Sequence, residues 1–432
     1  MTNTPSLYIG IDLGTSGVRA CAISDNKNLL HICKTSLPEP KKQGSYITQD
    51  ANLWWQATEN VLSELFTHID VNNVNAISVN GTSGTVLLCN AEGIPLAPAL
   101  MYNDASCTMQ AAQIKTIAPS NSAAHGSCSG LAKLLYLQEQ YPKAAHLCHQ
   151  ADWIVGKLCG RFDVSDENNA LKTGYDPLHT SWPDWLDQLN VRRNLLPEVL
   201  PPGRQISTIN NNLLLSTGLN PNCQIVSGTT DSIAAFIATG ASQPGDAVTS
   251  LGSTLVLKII TKEPVSAPEF GIYSHKLGEY WLAGGASNTG GAVLEHYLTQ
   301  QQINKLTEQL KPEQPTSLDY YPLIQAGERF PVNNPSLQPR LEPKANNELQ
   351  FFQGMLEGIS QIELDGYQKL QQLGAPYPSH VETAGGGSKN LAWNKIRELT
   401  LGVKVKQAEF SEACYGSALL ALRGYKLTLQ PR

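Results

Sequence analysis

No uninterrupted apolar run in the 432 residues approaches the ~18 that a membrane-spanning helix requires, so the sequence predicts no membrane partner. Met1 to Leu7 carries no basic segment, and Asp12 breaks the apolar stretch that follows before it could act as a secretion signal; a cytoplasmic location is the expectation. The nine cysteines are odd in number and never form a C-x-x-C pair, which argues against a zinc knuckle and a disulfide framework and predicts reduced thiols. Charge is scarce at 16%, the net value is -6, and the 31 Lys and Arg are scattered without a run. Nucleic acid is therefore not an expected partner, since its phosphates demand clustered positive charge. Two nucleotide-binding signatures are missing as well: no G-x-x-x-x-G-K-[ST] occurs, and no G-x-G-x-x-G opens a helix.

What the chain does have is 35 Gly and 26 Pro within a 41% hydrophobic composition, the mark of a globular protein with many tight turns. Its length exceeds what one core usually supports, so two domains are expected, with a cleft between them as the natural place for a site. Turn-formers cluster at Ala241 to Gly245, and the division is placed there: residues 1–240 and 241–432. The opening reads as three short strands, Leu7 to Ile11, Val18 to Ile23 and Leu29 to Cys33. Helical spacing appears at Leu53 to Phe66, Leu131 to Gln140, Trp153 to Cys159 and Leu349 to Leu373, strands at Ala76 to Asn80 and Gln224 to Ser227, and a connector at Pro197 to Pro202. Mixed α/β is the resulting class. The loop Asp12-Leu13-Gly14-Thr15-Ser16 is echoed by Ser250-Leu251-Gly252-Ser253-Thr254, each a Gly turn with hydroxyls between apolar strands, and the echo suggests an internal duplication.

Such turns suit phosphate, because glycine lets backbone N–H groups converge and the hydroxyls of Thr15 and Ser16 add donors. Asp12, at the strand end feeding the first turn, would repel phosphate unless a cation lay between, so it is a candidate Mg²⁺ partner; satisfying turn N–H groups is the plainer alternative. A third motif, Thr383 to Trp393, follows an apolar strand. Gly385, Gly386 and Gly387 would let a flat base approach the backbone, Asn390 could read adenine, and Trp393 could wall a pocket; a hairpin tip with a core Trp is the plainer alternative.

These segments resemble the FGGY carbohydrate kinases across nearly the whole chain. In order, the matching stretches are GIDLGTSGVRA, QDANLWWQA, ISVNGTSGTVLL, PALMYND, VSGTTDSIAA, SLGSTLVL, TAGGGSKNLAW and YGSALLALRG. The resemblance implies two duplicated domains of the sugar-kinase/actin/Hsp70 (ribonuclease H-like) fold, each a mixed sheet flanked by helices. It implies an enzyme that uses ATP and Mg²⁺ on a small sugar, with Asp231 as catalytic base and Asp12 as the metal-associated carboxylate. Gly14, Thr15, Arg19 and Gly252 to Thr254 (including Ser253) would hold phosphates, and the triple-glycine motif adenosine. The expected substrate set is Ser16, Gly17, Thr82, Ser83, Tyr102, Asn103, Asp104 and Ser232. Glycerol kinases carry an Arg-Glu pair, and xylulokinases Gln-Met-His-Gly, where this chain reads Asn80-Gly81-Thr82-Ser83-Gly84. The small hydroxyl residues are closer to the loops of ribulose kinases, so D-ribulose is expected first and D-xylulose second, by a monomer or homodimer. The alternative outside the enzyme class is an actin- or Hsp70-like nucleotide switch, which has no need of the Asp231 loop.

Overall fold

The computed structural model describes residues 6–210 and 217–429. The chain folds into two compact units, Met1–Ala238 with Glu412–Arg432, and Thr239–Ser411.

In the first unit β1 (Leu7–Leu13), β2 (Gly17–Ser24) and β3 (Leu29–Ser36) form the expected antiparallel meander. All seven residues of β1 are buried, as befits a central strand covered on both faces, whereas β3 alternates because it is the sheet edge. On the other side of β1 lie β4 (Val74–Gly81) and then β5 (Gln224–Thr230), both parallel to it. Helix α1 (Ala51–Phe66) packs on the meander through Trp54, Val61, Leu62 and Leu65, spaced along one helical face. Asp50 caps it by accepting from the Asn52 N–H. A second core of this unit surrounds a five-stranded sheet that includes Val86–Cys89 and His146–His149, covered by α2 (Gly130–Gln140).

The second unit repeats the pattern. Strands β6 (Asp246–Leu251), β7 (Leu255–Thr261) and β8 (Tyr280–Ser287) make an antiparallel meander. On the far side of β6 lie β9 (His380–Ala384) and β10 (Lys404–Gln407), parallel to it. The order of these five strands thus matches between the two sheets, and the duplication suggested by two short loops is a repeat of five-stranded topology; the sixth strand, Gln205–Thr208 in one sheet and His275–Leu277 in the other, joins opposite edges. Helix α4 (Glu348–Gln372) supplies much of this core through Phe352, Met355, Leu356, Ile359 and Ile362.

Two expectations differ from what is found. The segment from Glu412 onward packs with the first unit, not the second, because its helix α6 (Ala413–Thr428) lies on β1 and β4. There the Asn80 amide donates to the Ala413 carbonyl at 3.2 Å and the Ser417 hydroxyl at 2.8 Å. The stretch Pro197 to Pro202, expected as a plain connector, contains a strand, Glu198–Leu200, paired in parallel with Val164–Asp166.

Candidate active site

The first unit's sheet gathers three loops at one edge. In the pairing register Leu13, Gly81 and Thr230 form one row across β1, β4 and β5, so the next residues, Gly14, Thr82 and Asp231, leave the sheet side by side. Loops that follow parallel strands at such an edge are where α/β sheets place ligands. Gly228 makes this register possible: a Cβ there would sit 1.7 Å from the Val79 carbonyl oxygen, and the pairing shifts between Val226 and Thr229 at this point. Asp231 then opens helix α3 (Asp231–Ala238), half-buried, accepting the Ser232 N–H at 2.6 Å.

Asp12 is buried, and one of its oxygens, Oδ1, has no hydrogen-bond partner. Burial, then the nearby Asp231 carboxylate, push its pKa up to about 6 against the opposing pull of Arg19. Two carboxylates close enough to repel, one with an orphaned buried oxygen, are a donor set suited to a hard divalent cation. Arg19, expected at a phosphate, sets its guanidinium 3.4 Å from Asp12 and 3.6 Å from Glu412, a carboxylate that no motif had marked.

Of the expected sugar-binding residues, Ser83 keeps a buried hydroxyl without a partner, and Ser16, Tyr102, Asn103 and Ser232 are exposed. Gly17 lies half-buried where β2 meets β3. Thr82 and Asp104 are committed to the fold. The Thr82 hydroxyl contacts Gln150 Oε1 at 2.8 Å and Thr85 Oγ1 at 2.6 Å. Asp104 is fully buried, accepting from the Ile47 N–H at 2.6 Å and the Ser106 hydroxyl at 2.7 Å. The residue that sequence reasoning missed is Lys133. Inside the apolar run of α2 it is fully buried, and its ammonium donates to the Gly84 carbonyl at 2.7 Å and the Met101 carbonyl at 2.6 Å. It thereby ties the Ser83 loop to the Tyr102 loop. A lone Lys among Leu and Ala at a core-facing helical position was the available signal.

Burial lowers the Lys133 pKa from 10.5 to about 8. The unfolded chain holds this proton up to about 10.5, the native state only to about 8, so between those values the unfolded form binds more protons and stability rises with pH. Below pH 8 the cost of the buried charge is present in full. Relative to Lys133→Met, the wild-type protein is expected to gain on the order of 3 kcal/mol between pH 8 and 10.5 in urea unfolding. A flat difference curve would show that the ammonium is not buried at a cost.

In the second unit the phosphate-type turn follows β6, and its Gly252 carbonyl accepts the Gly291 N–H at 2.8 Å. Beside it stands the triple-glycine loop. Gly385 has φ of 85°, and a Cβ there would lie 2.6 Å from the Leu251 carbonyl oxygen, so only glycine lets the two loops meet. A pocket of 590 Å³ opens here, lined by Gly252, Ser253, Gly386, Gly387, Asn390 and Trp393 among others. Thr254 and Gly385 stand outside that lining. Asn390 lines the pocket and also caps helix α5 (Leu391–Leu401), accepting the Trp393 N–H at 2.9 Å while its amide donates to Thr307 at 3.1 Å, which leaves one N–H and one lone pair over. Trp393 is a core residue whose indole N–H donates to Ser360 at 3.2 Å, and it walls the pocket with its ring. A polar part of the wall was missed: Gln300, Asn304 and Glu308 follow one another at helical spacing along Gln300–Thr307 and its cap. That i, i+4 polar stripe reads as an ordinary solvated face.

The first unit thus presents a loop edge with two carboxylates, its structural repeat a glycine-lined pocket beside a phosphate-type turn, and the repeated topology is that of the duplicated actin/Hsp70-like fold. The chain belongs to the FGGY family of carbohydrate kinases: the family's N-terminal domain matches residues 7–238 and its C-terminal domain 247–425. It is accordingly an ATP-dependent sugar kinase, not a nucleotide switch. A xylulose kinase of Escherichia coli is 24% identical over 98% of this chain and 90% of its own length. A D-ribulokinase of Saccharomyces cerevisiae is 22% identical, over 68% of this chain and 50% of that protein. Among solved structures, a xyloylose kinase from Brucella ovis superposes with a TM-score of 0.88 at 23% identity, covering 97% of this chain and 90% of that one.

Proposed function

We propose that this kinase phosphorylates a ketopentose, D-ribulose in preference to D-xylulose, to the 5-phosphate, with Asp231 as the general base. The observation that carries the reading is the aligned strand edge, which brings Asp12 and Asp231 into electrostatic contact beside the unpartnered hydroxyl of Ser83. A sugar hydroxyl is a poor nucleophile. As its oxygen bonds to the γ-phosphorus and the bond to the ADP oxygen breaks, Asp231 accepts the hydroxyl proton. Asp12, through its orphaned Oδ1, would hold Mg²⁺, which when bound neutralises phosphate charge. The second unit's pocket, with Ser253, Gly386 and Gly387 on its wall, supports ATP binding.

Substrate choice rests on the loop from Asn80 to Gly84. With Thr82 held by Gln150 and Thr85, discrimination falls to Ser83. A site that reads hydroxyls rejects an epimer because its own polar group is left unpaired. Most of the relatives are named xylulose kinases and one a D-ribulokinase, so this choice is the point to test. In a coupled ADP-release assay across pentuloses, glycerol and pentitols, kcat/KM is expected to be roughly 5- to 150-fold higher for D-ribulose than for D-xylulose, the equivalent of ~1 to 3 kcal/mol. Glycerol should trail far behind, and Ser83→Ala should narrow the gap. Equal or better use of D-xylulose would overturn the substrate while leaving the sugar kinase intact.

A further inference from the structure

Away from every residue assigned above, the outer face of the first unit carries three metal-ligating side chains that converge. His31 and Cys33 are two residues apart on β3, so both project from one face of the sheet's edge strand. His68 follows the end of α1, which packs against that strand. Their ligand atoms, one from each residue, all lie within 4.8 Å of one another, and no other group of three or more His, Cys, Asp or Glu among the described residues converges in this way. The imidazoles of His31 and His68 are stacked, with ring centroids 3.8 Å apart and planes 20° from parallel.

We propose that His31, Cys33 and His68 form a binding site for a borderline-soft divalent cation, Zn²⁺ in particular, separate from the Mg²⁺ of phosphoryl transfer. The donor chemistry selects the ion. Two imidazole nitrogens and a thiolate suit Zn²⁺, whereas Mg²⁺ demands oxygen ligands in octahedral array and would be refused. A tetrahedral Zn²⁺, with bonds of ~2.0 Å to nitrogen and ~2.3 Å to sulfur, needs its donors ~3.3 to 3.6 Å apart, a spacing that side-chain rotation from the present one can reach. Cys33 is buried and His31 half-buried, so the donors are held by packing, while exposed His68 leaves a path for entry. Three protein donors leave the fourth position of a tetrahedral site to water. Binding releases the Cys33 proton to solvent and leaves a thiolate on the metal.

The site joins an edge strand to a helix, and that strand supports the first phosphate-type turn. Immediately after β3, the Leu37 N–H donates to the Ser16 carbonyl at 2.9 Å, and Ser36 pairs with Gly17. A cation bridging β3 to the end of α1 braces this support at the otherwise unpaired margin of the sheet.

The test uses the full chain, stripped with a chelator and titrated with Zn²⁺ by calorimetry in excess Mg²⁺. One equivalent should bind. His68→Ala, at an exposed position that does not threaten the fold, should weaken binding at least on the order of 10- to 100-fold, as losses even of outer-shell partners do. Cobalt(II) should give the visible bands of a tetrahedral site with a thiolate charge-transfer band, and Cys33→Ala should abolish the latter. Absence of saturable Zn²⁺ uptake by the wild-type chain, or wild-type affinity in either variant, overturns the proposal. Neither outcome depends on sugar kinase activity.

Discussion

Replacing Asp231 by Asn is expected to lower kcat by on the order of 10² to 10⁴ while ATP still binds. The amide keeps the size and shape of the carboxylate but cannot accept the substrate proton as the new bond to phosphorus forms. ATP affinity should persist because the pocket assigned to it is built from second-unit residues, Ser253 and Gly386 among them. The fold should tolerate the change. Asp231 is half-buried, and the carboxamide oxygen of Asn can still accept the Ser232 N–H. One complication works in a known direction: removing this charge relieves part of the pressure on Asp12, whose pKa it helps to raise. The measurement is steady-state turnover with the best ketopentose, alongside nucleotide binding in the absence of sugar. A variant with wild-type kcat would eliminate Asp231 as the base, and one that lost ATP binding as well would point to a collapsed structure.

Much of this arrangement is legible in the sequence, for reasons that differ by residue. The two Gly turns and the triple glycine could be read because backbone requirements admit few residues: Gly385, with its positive φ and its carbonyl neighbour, has no substitute. The meander and the long helix Glu348–Gln372 could be read because burial imposes period and run length. Polar residues were harder. Thr82, Asp104 and Asn390 have the chemistry to bind ligand, yet each is bonded to protein groups far off in sequence or along its own turn. Composition does not reveal which partner a hydroxyl or carboxylate will find. Lys133 and Glu412 were missed for the complementary reason, that their roles arise only when residues distant in the chain meet them. The helix after Glu412 shows the same limit at larger scale: its small residues, Gly416, Ser417 and Ala418, suit close packing, but sequence order does not reveal that it packs with the first unit although the family's C-terminal domain runs through residue 425.

The second large effect is expected in the core behind the triple-glycine loop, where sequence reading had seen only helix periodicity. Arg397 and Glu363 are both fully buried, and the guanidinium grips the carboxylate with two bonds of 2.6 and 2.7 Å. A further N–H reaches the Thr383 hydroxyl at 2.7 Å, and the carboxylate accepts from Thr249, whose hydroxyl also meets the Tyr367 hydroxyl at 2.8 Å. Because Thr249 and Thr383 are register partners on β6 and β9, the network pins α4 and α5 to the two strands whose ends carry the pocket's glycine turns. Arg397→Ala leaves the Glu363 charge buried without its counterion. The expected loss is about 3 to 5 kcal/mol of stability in urea unfolding, with weakened nucleotide binding from the loosened loops. The Arg397→Met, Glu363→Leu double variant removes both charges and should recover part of that loss. Recovery should stay incomplete, since the hydroxyls of Thr249, Thr383 and Tyr367 then lose their strongest partners and become costly themselves. A single variant that loses less than about 1 kcal/mol would mean that water or a rearranged neighbour compensates Glu363. In that event the network would not be what holds the glycine turns in place.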